Sequence, residues 1–155
     1  MTRCTASDDA ANAAARQGWM RLFALSDAAA LEAALPGGLA DEVRVLRAPE
    51  VGLVMVRGRT GGGGAPFNLG EMPVARCSVA LADGTVGHAY VAGRDRAKAR
   101  AAAILDALMQ RPEARAELER TLIAPLSAAL AARRQAAAEK TAATRVDFFT
   151  MVRGD

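Results

Sequence analysis

The chain has 155 residues, a formal net charge of +3 and 52% hydrophobic residues, but 38 of those are alanine. Few bulky side chains remain to fill an interior, which excludes a large self-sufficient core, while the small net charge argues against wholesale disorder. No apolar run approaches the roughly 18 residues of a membrane span, and the acidic stretch Ser7-Asp8-Asp9 is unlike a secretory leader.

These features predict a cytoplasmic protein with a single domain over residues 1–155, leaning on helix propensity and on a partner surface. Cys4 and Cys77 supply neither a disulfide scaffold nor an iron–sulfur cluster. The 18 arginines and two lysines are interspersed with 17 acids and form no basic block. Neither nucleic acid nor a membrane is therefore the expected partner.

In chain order, Ser7 or Asp8 is placed to cap a first helix running to about Leu25, with Ala11, Ala15, Trp19 and Leu22 on its buried stripe. Asp27 caps a short second helix that Pro36-Gly37-Gly38 ends. From Val43 to Arg57 the period shortens: Val51, Leu53 and Met55 share one face, Val54 and Val56 the other, so the spacing predicts a strand covered on both sides, by the helices of sheet neighbours or by another protein. A glycine-rich loop follows over Gly58 to Gly64 and leads into Ala65-Pro66-Phe67-Asn68-Leu69-Gly70.

Residues 73–82 and 85–92 read as a hairpin turned on Asp83-Gly84. A two-residue turn pairs Leu81 with Val86, Val79 with His88 and Cys77 with Tyr90, all on one face. The other face, with Arg76, Ser78, Ala80, Gly87 and Ala89, is small enough for a helix to approach. After Gly93 a helical stripe of Ala97, Ala101, Ile104, Leu105 and Leu108 runs to Gln110. Pro112 opens another helix with leucines at 118, 122, 126 and 130, and Pro125 inside it predicts a kink or a break. The fold class is α+β: an antiparallel sheet of three or four strands with N-terminal and C-terminal helices packed on it. The tail over residues 144–155 carries Arg145, Asp147, Phe148, Phe149 and Arg153, and its aromatic pair is expected to dock at an interface.

Chemistry is sparse. Arg57 and Arg59 precede the glycine run and suit a phosphate, but no Gly-Lys-Ser/Thr follows, and a flexible loop is the favoured reading. His88 is the only histidine, so a multi-histidine metal site is excluded, and Cys77, Glu71 and His88 make a poor ligand set. As a general base His88 needs a carboxylate, from Asp147 or Glu71, brought by folding. Cys77 lies mid-strand, where burial suppresses thiol reactivity. Catalysis is thus assigned to no residue here, with Cys77 and His88 as the weak candidates.

Six ordered segments carry a resemblance: Arg16-Gln17-Gly18-Trp19-Met20, RAPEVGLVMVRGR, PFNLGE, Arg76-Cys77, DGTVGHAYVAGRD and TRVDFFTMVRGD. Together they resemble the PhnG family, the small G subunits of the bacterial carbon–phosphorus lyase core complex. The resemblance implies an accessory role in phosphonate catabolism beside H, I and J subunits. It implies ATP and a phosphonate as substrates of the complex, the phosphonate joining ribose C1 as adenine leaves. It implies nucleosidase-like catalysis on the I subunit, and an iron–sulfur cluster with S-adenosylmethionine on the J subunit. No cofactor is implied for this chain alone. Residues expected to contact other subunits or lie near substrate are Arg57, Arg59, Phe67, Asn68, Glu71, Arg76, Arg145, Asp147, Phe148, Phe149 and Arg153. The competing readings are an autonomous small enzyme built on Cys77 or His88 and a basic nucleic-acid-binding module.

Overall fold

A computed structural model describes residues 6–37, 39, 43–61 and 63–144. Helix α1 (Ala6–Leu25) and the single-turn α2 (Ala28–Ala33) precede a three-stranded antiparallel sheet in the order β1-β2-β3, with β1 Arg44–Arg59, β2 Pro66–Ala80 and β3 Val86–Ala92. Helix α3 (Arg96–Met109) crosses one face of the sheet. Then α4 (Pro112–Leu118), a π-helical turn (Glu119–Ile123) and α5 (Ala124–Ala143) form one continuous helical run. The α+β class holds, with three strands. Among the described residues no helix is long and apolar enough to cross a membrane.

Helix α1 is already formed at Ala6, so Ser7 and Asp8 lie inside it and do not cap it. Asp27 occupies the N-cap position of α2 without a side-chain bond, and α2 stops at Ala33, three residues short of Pro36. The cap that does form is at α3, where the Asp95 carboxylate accepts the Lys98 N–H at 2.9 Å. Pro112 sits in the first turn of α4, where its missing N–H costs nothing. Pro125 leaves the helical run unbroken. Its lost backbone donor and its ring bulk are absorbed by the π-helical turn just before it.

The β2–β3 hairpin forms, one residue away from the register expected. Gly84 N–H donates to Leu81 O and Leu81 N–H to Thr85 O, both at 2.9 Å, and Gly84 has φ +86°. The loop is therefore the three-residue Ala82-Asp83-Gly84 closed by a glycine in the left-handed region, not a two-residue turn. The Asp83 carboxylate accepts the Thr85 N–H at 2.9 Å, and this bond, helped by Arg111 at 3.3 Å, holds its pKa below the ordinary value.

The extra loop residue shifts every pair. Cys77 faces Ala89, Val79 faces Gly87 and Ser78 faces His88. A one-residue slip exchanges the two faces of one strand against the other. Gly87, Ala89 and Val91 therefore join Cys77 and Val79 beneath α3, whereas His88 and Tyr90 look away from it and are exposed. Close helix approach occurs as the small residues suggested. An ideal Cβ on Gly87 would stand 2.0 Å from Ala103 O.

The core lies between the sheet and α3 and takes Trp19 and Phe23 from α1, Leu31 from α2, Val79 and Val91 from the sheet, and Leu105 and Met109 from α3. Ala99, Ala101, Ala102, Ala103 and Ala107 are all buried, so alanine here is interface and not filler. Ala97, expected on the buried stripe, is exposed. The C-terminal run follows α1 in the same direction: the Arg115 guanidinium lies 5.1 Å from the Trp19 ring centroid, and Arg133 donates to Leu25 O at 3.2 Å. No residue of α5 is fully buried.

Candidate functional site

The two residues singled out for chemistry are held on opposite faces of the sheet. Cys77 points under α3, 2% exposed, and its thiol donates to Arg47 O at 3.4 Å. Burial raises the thiol pKa, outweighing the opposite pull of Arg100 and of the Ser78 N–H. His88 is exposed on the far face, with Nδ1 2.9 Å from Ser78 Oγ across the strands. The one-residue slip thus takes His88 off the face it was expected to share with Cys77 and Val79.

Cys77 and His88 form no dyad. Glu71 lies seven residues along β2 from Ser78, about 24 Å of extended strand, so it cannot orient His88. Among the described residues, no three histidines, cysteines or acids gather as metal ligands would.

Beyond Val74, the last residue of β2 paired with β3, the β1–β2 hairpin continues without a third strand. Gly52 to Arg59 and Pro66 to Pro73 thus form a projecting arm of roughly 25 Å. Its apolar side chains are uncovered. Leu53 is 61% exposed and Met55 51% on the face continuous with Val51, while Phe67, Leu69 and Met72 are exposed as well, Phe67 and Leu69 flanking Gly58 on the other face. Over its distal half β1 is exposed at Leu53 and Met55 on one face and half-buried at Val54 and Val56 on the other. PFNLGE, which precedes the strand expected over 73–82, is itself strand, with a register shift between Val56 and Arg57.

Of the six expected contact residues that lie among the described residues, the arm gathers five. Arg57 pairs with Asn68, Gly58 with Phe67 and Met55 with Glu71. At its tip Arg59 donates to Gly64 O at 2.9 Å, and Gly64 N–H to Thr60 O at 3.0 Å. These bonds occupy the Gly64 N–H and the Arg59 Nη1 with carbonyls of the tip itself. Arg76 sits at the arm's root, bonded through Nε to Glu50 at 2.7 Å, with Arg47 3.3 Å from the same carboxylate. Arg145, Asp147, Phe148, Phe149 and Arg153 lie outside the described residues, as does Cys4.

A cluster absent from the sequence reading holds the other end of the molecule. Asp106 on α3 is 0% exposed and accepts four hydrogen bonds: from Arg16 Nε at 3.1 Å, Arg16 Nη2 at 2.6 Å, Trp19 Nε1 at 2.9 Å and the His88 N–H at 2.9 Å. One carboxylate thus joins α1, α3 and the outer edge of β3. Gln110 donates to Val86 O at 2.9 Å beside it. The available signal was chemical: Asp106 is the only acid within a helix otherwise made of apolar and basic residues, and a charge amid a buried stripe demands a partner. Against this network lies a cavity of about 520 Å³, between α1 and the start of α4.

Comparison with known proteins agrees with the resemblance seen in the sequence. The family described as "Phosphonate metabolism protein PhnG" matches residues 14–154. A relative from Rhizobium meliloti (strain 1021), the alpha-D-ribose 1-methylphosphonate 5-triphosphate synthase subunit PhnG, is 51% identical over 157 residues, spanning 100% of this chain and 99% of the relative. The chain belongs to the PhnG family.

Proposed function

We propose that this chain acts as an accessory subunit, one domain over residues 1–155, of an assembly that makes α-D-ribose 1-methylphosphonate 5-triphosphate. The assembly joins a phosphonate to ribose C1 of ATP and releases adenine, in the cytoplasm. Its companions are the H, I and J subunits. The I subunit performs the substitution, and the J subunit carries the iron–sulfur cluster and S-adenosylmethionine for later cleavage of the carbon–phosphorus bond. Whole-length similarity to a synthase subunit supports membership in such an assembly.

The observation that carries the accessory role is the bare arm. Exposed apolar side chains on both faces of a hairpin lower their free energy when another chain covers them, and that burial is worth about 25 cal/mol per Å². Arg57, Arg59, Phe67, Asn68 and Glu71 lie on this arm and Arg76 at its root. The tail residues Arg145, Asp147, Phe148, Phe149 and Arg153 are assigned to the same contact role.

Co-expression with the three partner subunits and capture through a tag on this chain tests the reading. Leu53→Ser, Met55→Ser and Leu69→Ser together are expected to abolish co-capture while leaving the thermal midpoint of the chain unchanged, because none of the three packs in the core. Full co-capture by the triple variant would remove the arm from the interface. Adenine release from ATP by the purified chain alone would overturn the accessory role.

A second measurement addresses the two chemistry candidates. Cys77→Ser combined with His88→Ala is expected to leave turnover of the reconstituted assembly within about twofold of wild type, since the thiol is buried and His88 has no orienting carboxylate among the described residues. A loss of about a hundredfold or more with intact assembly, the scale of a missing acid–base group, would return catalysis to these positions.

A further inference from the structure

We propose that the cavity between α1 and α4 is a binding site for a small organic oxyanion, a phosphate ester or a carboxylate, held between the Arg16 and Arg115 guanidiniums. Its volume of about 520 Å³ lies within the range of small-molecule sites, roughly 300–1,000 Å³. The residues lining it include Asn12, Arg16, Trp19, Gln110, Pro112 and Arg115, and no carboxylate is among the described residues that line it.

Both arginines are oriented before any ligand arrives. Arg16 is anchored behind the cavity wall through Nε and Nη2 on Asp106, with Nη2 also 3.3 Å from Val86 O. Its Nη1 makes no hydrogen bond among the described residues, and its side chain remains 31% exposed. Arg115 is fixed by stacking on the Trp19 ring and by Nε donation to Glu119 at 2.8 Å, and its Nη groups have no partner among the described residues. Gln110 donates its amide twice, to Val86 O and Asp106 O, so it too is held in place.

Two guanidiniums from separate helices, Arg16 held by a buried carboxylate and Arg115 oriented by the indole and an exposed carboxylate one turn on, present spare donors to one space, so less rotamer freedom is lost on binding an oxyanion than by free side chains. The balancing carboxylates sit off the cavity wall, Asp106 buried behind Arg16 and Glu119 on the Nε edge of Arg115. The indole face and Pro112 offer an apolar seat for the body of the ligand. Size alone argues against a bare inorganic anion, which would leave most of the volume unfilled.

Trp19 is the only tryptophan in the chain, so its emission reports this cavity directly. The purified full chain is titrated with ribose 5-phosphate, benzoate and inorganic phosphate at constant ionic strength. The expected result is a saturable change in Trp19 emission, half-complete near or below about 1 mM for ribose 5-phosphate or benzoate and weaker for inorganic phosphate. A response to ribose 5-phosphate alone assigns a phosphate ester, and one to benzoate alone a carboxylate.

Arg115→Gln is expected to weaken the response at least tenfold. Asn12→Asp, an exposed change on α1 that adds a negative charge at the cavity, is expected to weaken it too, and it serves if Arg115→Gln disturbs the fold. No saturable change with any probe up to about 10 mM, or an unchanged response in both variants, would overturn the site. The site does not rest on membership in the synthase assembly: co-capture reports that reading, and emission of the single chain reports this one.

Discussion

Replacing Asp106 by alanine should lower the stability of the chain by about 3–5 kcal/mol, the range for breaking a buried ion pair from one side. Asp106 has no exposure and accepts bonds from the Arg16 guanidinium, the Trp19 indole N–H and the His88 backbone N–H. The truncation removes all of these acceptors together. It leaves a partly buried cation and two buried donors without partners, and each such neutral donor costs about 1–3 kcal/mol on its own.

At roughly 2–4 °C per kcal/mol for a chain of this size, the thermal midpoint should fall by about 6–20 °C. Circular dichroism at 222 nm reads the change. The companion measurement is Arg16→Met in the Asp106→Ala background, which should recover part of the loss because it removes the uncompensated charge. A fall of less than about 1 kcal/mol for Asp106→Ala, within the range of an exposed pair, would show that the network does not hold α1 to α3 and β3.

Gly87→Ala is expected to be nearly as damaging, for a steric reason. The added Cβ would lie 2.0 Å from Ala103 O, 2.7 Å from Ala107 N and 2.8 Å from Ala107 Cβ, so it meets the backbone of α3 and not a side chain able to rotate away. Helix α3 has to retreat from the sheet. Its buried face is mostly alanine and cannot refill the gap, so we expect a cost of about 3 kcal/mol, at the top of the usual range for overpacking.

Gly18→Ala is the internal control. Nothing stands within 4 Å of a Cβ there, and the residue is inside α1, so the change should stabilise by about 0.5–1 kcal/mol. Equal behaviour of the two substitutions in chemical denaturation would contradict the close approach of α3 to β3.

Much of the architecture was legible along the chain because it depends on local chemistry. Pro112 opens a helix, a turn at Asp83-Gly84 separates two strands, and the alanine-rich stripe before Gln110 is helical. Pro125 marked an irregularity, which takes the form of a π-helical turn in place of a kink or break. Arg57 and Arg59 from one segment and Phe67, Asn68 and Glu71 from the next share one arm. The cavity beside Trp19 was not foreseen at all, because its walls come from residues about a hundred positions apart.

Residue order was enough to establish the helix and strand segments, the poverty of large apolar groups and the family, since each follows from composition, periodicity or matched segments within a few dozen residues. Packing alone settled the hairpin register, the placement of Cys77 and His88 on opposite faces, the fourfold use of Asp106 and the exposure of the arm. The physical reason is range. One additional turn residue exchanges the faces of a strand, and a buried carboxylate chooses its donors only after α1, α3 and β3 have met.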